Sequence, residues 1–221
     1  MEKLTKGAYY AVKASVEKLA KAGNIDAQRF LVDLIHLHTK AKSSEAQEVI
    51  TWLNTMIEAG DAFALTRLAD CYMDGYGVEK NETTGRELYL KAADKNEPRA
   101  FNQLGRIHFQ GEGVSKDYEK AYAYFSKAAE QDYALAQRYL GLLYYKGYGV
   151  EKDYDKALYY WNKAAEKGDA KALISLGMAC ENEEDGRQAD PEEAVRYYLK
   201  AIANGGTRAC FYLNRLANKN T

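Results

Sequence analysis

Residues 100–132 read AFNQLGRIHFQGEGVSKDYEKAYAYFSKAAEQD, and residues 134–169 read ALAQRYLGLLYYKGYGVEKDYDKALYYWNKAAEKGD. Superposed, they agree in the turn, QGEGV at Gln110–Val114 against KGYGV at Lys146–Val150, and in the small pairs Ala128-Ala129 and Ala164-Ala165, at a constant offset of 36 residues. The same offset reaches back to DGYGV at Asp74–Val78 and to Ala92-Ala93. Leu68, Leu104, Leu140 and Leu176 also keep it, and Leu213 follows 37 residues later. A fixed period of this length marks a chain built from stacked copies of one supersecondary unit.

Within a copy, Ala100, Leu104, Ile107 and His108 fall at i, i+4, i+7 and i+8, one stripe of a helix, here called A. Beyond the turn, Ala121, Tyr124, Phe125, Ala128 and Ala129 form the stripe of a second helix, B. Asp117 and Asp153 stand at N-cap positions, and Asp190-Pro191-Glu192-Glu193 places a cap, a first-turn proline and a capping-box glutamate. Gly23, Gly60, Asn96, Asp132, Gly168 and Gly205 form a second register of residues that tolerate the left-handed conformation closing a helix. Because Gly23 and Gly60 belong to it, the divergent first 60 residues are read as repeats as well. Twelve helices are expected, over roughly 4–22, 26–39, 43–59, 62–73, 82–95, 98–110, 118–131, 134–146, 154–167, 170–182, 191–204 and 207–218. Gly105, Gly141 and Gly177, with Ala69 in the first clear copy, lack the bulk that would hold a neighbouring helix away.

Composition agrees. Hydrophobic residues make up 47 % and charged residues 29 % of the 221, the balance of a chain that buries a core. Only 2 prolines occur, which favours helix. With 31 Lys and Arg against 32 Asp and Glu, the net charge of −1 argues against a general nucleic-acid binder, which needs a basic excess to neutralise phosphates. Cys71, Cys180 and Cys210 form neither a disulfide framework nor a zinc motif, which points to a reducing compartment. No secretory signal and no apolar run long enough to span a bilayer is read, so a cytoplasmic location is expected, an exported mature form remaining an alternative.

Residues 100–132 and 134–169 resemble the Sel1-like repeat, a 36-residue relative of the tetratricopeptide repeat (TPR). The likeness is close from about residue 61 to 168 and looser to 213, and the fourth copy departs from it where CENEEDGRQADPEEA replaces the GxGV turn. It implies an all-α, right-handed α-solenoid of helical hairpins. The expected organisation is a single domain over 1–221: divergent repeats and a cap over 1–60, four clear repeats over 61–206 and a capping helix over 207–221. It also implies adaptors and scaffolds, and hence a protein-protein interaction role with no cofactor. Some exported relatives staple A to B by paired cysteines, an arrangement this chain lacks.

The motifs supply no catalytic, cofactor or metal site. His36 and His38 are two apart on one helix and diverge by about 200°, so they cannot chelate one metal by themselves. His108 matches Tyr72 and Tyr144 and reads as a packing residue. The GxGV turns followed by Lys80, Lys116 and Lys152 read as positive-φ connections rather than phosphate cradles. In tetratricopeptide-like hairpins the positions six and three before the Gly105-type residue, and one, four and five after it, face the concave side. Mapped by register, the candidate partner-binding residues are Arg99, Asn102, Arg106, Phe109, Leu135, Arg138, Leu142, Tyr145, Lys146, Lys171, Arg208 and Arg215. With Lys219, eight of the mapped positions are basic, against the acidic Asp70, Asp74 and Glu181. That balance predicts an acidic or carboxylate-bearing protein or peptide as partner. The arginines can instead pair with carboxylates on adjacent helices. Two other readings stay open, a nucleic-acid-binding helical repeat and an enzyme acting on an envelope polymer.

Overall fold

The computed structural model describes residues 4–183 and 187–219. Twelve helices occur among them: α1 (Lys6–Lys21), α2 (Ile25–His38), α3 (Ser44–Glu58), α4 (Ala62–Asp74), α5 (Glu82–Asp94), α6 (Pro98–Gln110), α7 (Tyr118–Glu130), α8 (Ala134–Lys146), α9 (Tyr154–Glu166), α10 (Ala170–Cys180), α11 (Pro191–Ala203) and α12 (Ala209–Lys219). No strand occurs among the described residues beyond an isolated bridge at Arg187. Every expected helix is present with its ends within two residues of the sequence reading.

The reason is local. All six residues of the left-handed register have positive φ, from 62° at Asn96 to 88° at Gly23. Asp117 and Asp153 cap their helices by accepting from the N–H of Lys120 and Lys156, each at 2.9 Å. The capping box at Asp190 is only half formed. Asp190 accepts from Glu193 N–H at 2.9 Å, but its own N–H goes to the Cys180 carbonyl at 2.8 Å. The Glu193 carboxylate therefore accepts from Arg196 instead, at 2.6 Å. Part of the fourth copy's irregular loop, residues 184–186, lies outside the described residues.

The chain divides into two compact units, Met1–Ala100 and Phe101–Thr221. In the first, each helix from α1 to α5 packs on its chain neighbours around Leu31, Ile35, Val49, Leu53 and Met56, all fully or almost fully buried. In the second, α7 to α12 pack in the same sequential way around Phe125, Leu140, Trp161, Leu176 and Tyr198. One device recurs there in every hairpin: an aromatic ring of helix B lies directly against the glycine of helix A. A Cβ on Gly105 would stand 2.7 Å from the Phe125 ring, one on Gly177 would stand 2.6 Å from the Tyr198 ring, and one on Gly141 would collide with the Trp161 indole. The second glycine of the third GxGV turn, Gly149, has φ 70° and lies against the Tyr118–Glu119 backbone, so it joins one copy to the next with no room for a side chain.

Candidate functional site

The A helices of the second unit carry most of the mapped positions, and their surroundings separate two kinds of cation. Arg138 Nε donates to Asp169 at 3.2 Å and its guanidinium lies 4.6 Å over the Tyr139 ring. The Asp169 side chain is only 8 % exposed and also caps α10 by accepting from Ala172 N–H. Arg215 donates to Glu181 at 2.7 Å, and Glu181, 2 % exposed, also accepts from the Tyr198 hydroxyl. Burial first, and then that bond to a carboxylate, raise the Tyr198 pKa, so the phenol stays protonated. Both carboxylates sit beneath their arginines, fixing one A helix to the next.

Arg106, Lys146, Lys171 and Arg208 are the second kind. Arg106 donates to Gln103 at 2.9 Å, and its nearest paired carboxylate, Glu112, is 4.0 Å away. Lys146 lies 4.7 Å over the Tyr145 ring, and Lys171 and Arg208 are exposed. These last three have no carboxylate in ion-pair range among the described residues. On the A helices α8, α10 and α12, Leu135, Met178 and Phe211 are 41 %, 37 % and 64 % exposed, and Leu142 is half-buried. A surface whose cations outnumber its carboxylates, with exposed apolar side chains on the same helices, can bind a carboxylate-bearing chain.

Other mapped residues turn inward. Asn102 is 2 % exposed. Phe109 packs against Tyr118, Tyr139 and Tyr148, and Tyr145 packs against Tyr154 and Trp161. In the first unit, Arg99 donates to the buried Asp70 at 2.7 Å, where Arg67 at 3.1 Å and the Tyr89 hydroxyl at 2.6 Å also converge. Arg29 likewise holds Asp61 through two bonds of 2.9 and 3.1 Å. The eight basic positions counted in the sequence therefore overstate the free charge, because Arg99, Arg138 and Arg215 are internally paired. The Lys219 side chain lies outside the described residues.

The partners of these arginines leave a signal in the sequence. Arg29 and Arg138 each meet the N-cap aspartate of the following A helix, 32 and 31 residues on. Met178 and Phe211, both exposed, keep the repeat register of Arg106 and Arg138, and that register is the signal that marks them.

No group of three or more metal-binding side chains occurs among the described residues. The histidines have packing roles: His36 lies 4.3 Å from Tyr76, His38 stacks on Tyr9 at 5.1 Å, and His108 stacks on Tyr124 at 5.7 Å. Burial, with a smaller effect from Lys120, lowers the His108 pKa and favours the neutral ring. The three cysteines are free, and burial pushes the Cys71 thiol up to about 12, far from a reactive thiolate. No helix of the described residues is long and apolar enough to cross a membrane.

Four consecutive segments, 62–97, 98–133, 134–169 and 170–206, match the Sel1 repeat. A Sel1 repeat protein from Oxalobacter formigenes is 32 % identical over 84 % of this chain and 75 % of its own, with a TM-score of 0.72. A protective antigen of uropathogenic Escherichia coli displaying an SLR fold is 27 % identical, with a TM-score of 0.70 over 95 % of this chain. This chain spans 44 % of that antigen's length. An immunity protein from Pseudomonas aeruginosa shares the fold at 23 % identity and a TM-score of 0.61, over 85 % of this chain and 68 % of its own. None of the curated proteins matches the chain.

Proposed function

The chain belongs to the Sel1 repeat family, whose members are generally protein-interaction scaffolds, and on that premise we propose that it is a non-catalytic adaptor. Its A-helix face in the second unit holds an acidic or carboxylate-bearing segment of a partner protein. One observation supports the reading above the rest: the carboxylates of this face, Asp169 and Glu181, are buried beneath Arg138 and Arg215, while Arg106, Lys146, Lys171 and Arg208 remain outside with Leu135, Met178 and Phe211. A surface of one sign attracts a counter-charged chain over several ångströms, and the apolar side chains supply contact once it arrives. Arginine forks then grip carboxylates with a geometry that lysine lacks.

Lys171→Glu with Arg208→Glu tests this without touching the internal pairs. Binding of a fluorescent glutamate- and leucine-containing peptide is expected to weaken at least about tenfold, the cost of losing two exposed charge contacts. Helical circular dichroism should be unchanged. Undiminished binding by the folded double variant would remove this face from the account.

A further inference from the structure

The B helices of the second unit carry a surface that peptide binding on the A helices does not use. On α9, Asp155, Tyr159, Asn162, Lys163 and Glu166 fall at i, i+4, i+7, i+8 and i+11 and so share one stripe. Tyr159 is 53 % exposed, and the Lys163 ammonium lies 5.0 Å over its ring. On α11, Leu199 is 54 % exposed. Side chains of this size at that exposure on two B helices offer apolar contact to a partner.

The charges beside them have an order. Each B helix places a carboxylate in its first turn, Glu119, Asp155 or Glu192, and a lysine in its last, Lys127, Lys163 or Lys200. The two stand 8 residues apart in all three helices, or about 12 Å along the axis. That order complements the helix dipole. The dipole does not, however, require an exposed tyrosine midway between the charges.

From this order we infer that the B-helix face of α7, α9 and α11 pairs with the same face of a second copy of this chain. The two α9 helices run antiparallel, with Tyr159 on the two-fold axis. Tyr159 is four residues from Asp155 and four from Lys163, so a half-turn about it lays each carboxylate on the other copy's lysine. The same rotation lays α7 on α7 and α11 on α11 of the other copy, matching Glu119 with Lys127 and Glu192 with Lys200. A parallel arrangement would set like charges together. Asp155 also meets Arg187, and its side chain is still 77 % exposed. A two-fold contact in which each residue meets its complement on an identical patch is the closed, isologous kind of interface, and tyrosine is among the residues enriched in its core.

Sedimentation equilibrium on the full chain tests the pairing. The mass is expected to rise with concentration from the 24.9 kDa of one chain towards twice that value. Tyr159→Glu should raise the dimer Kd at least tenfold, and Lys163→Asp alone should also raise it. Asp155→Lys combined with Lys163→Asp should restore association, because the swap inverts both members of each pair. Circular dichroism checks that each variant is folded. A single-chain mass at every concentration up to about 1 mM, a dimer indifferent to Tyr159→Glu, or a charge swap that fails to rescue would each overturn the inference.

Discussion

Asp70→Ala is expected to destabilise the first unit by about 3–5 kcal/mol, the usual cost of removing one partner from a buried ionic cluster. Asp70 is 7 % exposed and accepts from Arg67, Arg99 and the Tyr89 hydroxyl. Arg67 itself is 9 % exposed, and its other carboxylate, Asp33, stands 2.6 Å away. Removing Asp70 leaves two guanidinium groups and a phenol short of an acceptor where water cannot fully replace it. Asp70→Asn keeps an oxygen acceptor without the charge and should cost less. The chain has 2 tryptophans, Trp52 in the first unit and Trp161 in the second. Fluorinated tryptophan therefore gives one NMR signal per unit during denaturant unfolding. The Trp52 midpoint should fall; an unchanged midpoint would show that the cluster contributes nothing net.

The second large effect is expected at Gly141. Replacing it with leucine puts a branched side chain where even a Cβ meets the Trp161 indole. The indole cannot move freely, because Trp161 is 3 % exposed and its Nε1 donates to the Arg138 carbonyl at 3.2 Å. Overpacking of this kind costs about 1–3 kcal/mol and occasionally more, and loss of the indole bond places Gly141→Leu near the upper end. Here the Trp161 signal should report the loss. A midpoint equal to the parent's would mean that α8 and α9 approach less closely than the ring contact implies.

These two sites show what the sequence makes legible. Gly141 is legible because close approach of two helices leaves a residue-type trace, a glycine one position after the repeat's leucine, and the 36-residue period repeats that trace. The helix ends were legible for a similar reason: positive φ selects glycine, asparagine or aspartate, as at Asn96 and Asp132. The candidate face was legible only in outline. Register placed Arg138 and Lys171 on comparable helices, but nothing in the spacing of one arginine reveals whether a carboxylate lies beneath it. Arg138 has Asp169 at 3.2 Å, and Lys171 has no such partner among the described residues. The ladder of internal pairs depends on contacts between copies, which a register within one copy does not encode. The inward turn of Asn102 and the packing of Phe109 among Tyr118, Tyr139 and Tyr148 arise in the same way.

The proposed function puts an acidic partner segment on the A-helix face of the second unit rather than on its B-helix face. Backbone amide chemical-shift mapping tests it most directly, with the isotope-labelled full chain titrated with a glutamate- and leucine-containing peptide and with its lysine-substituted counterpart. The account predicts saturable shifts for the acidic peptide around Leu135, Lys171, Met178, Arg208 and Phe211, weakening as salt rises because exposed charges are screened, and no comparable shifts with the basic peptide. Shifts centred on Tyr159, Lys163 and Leu199, or equal responses to both peptides, would contradict it.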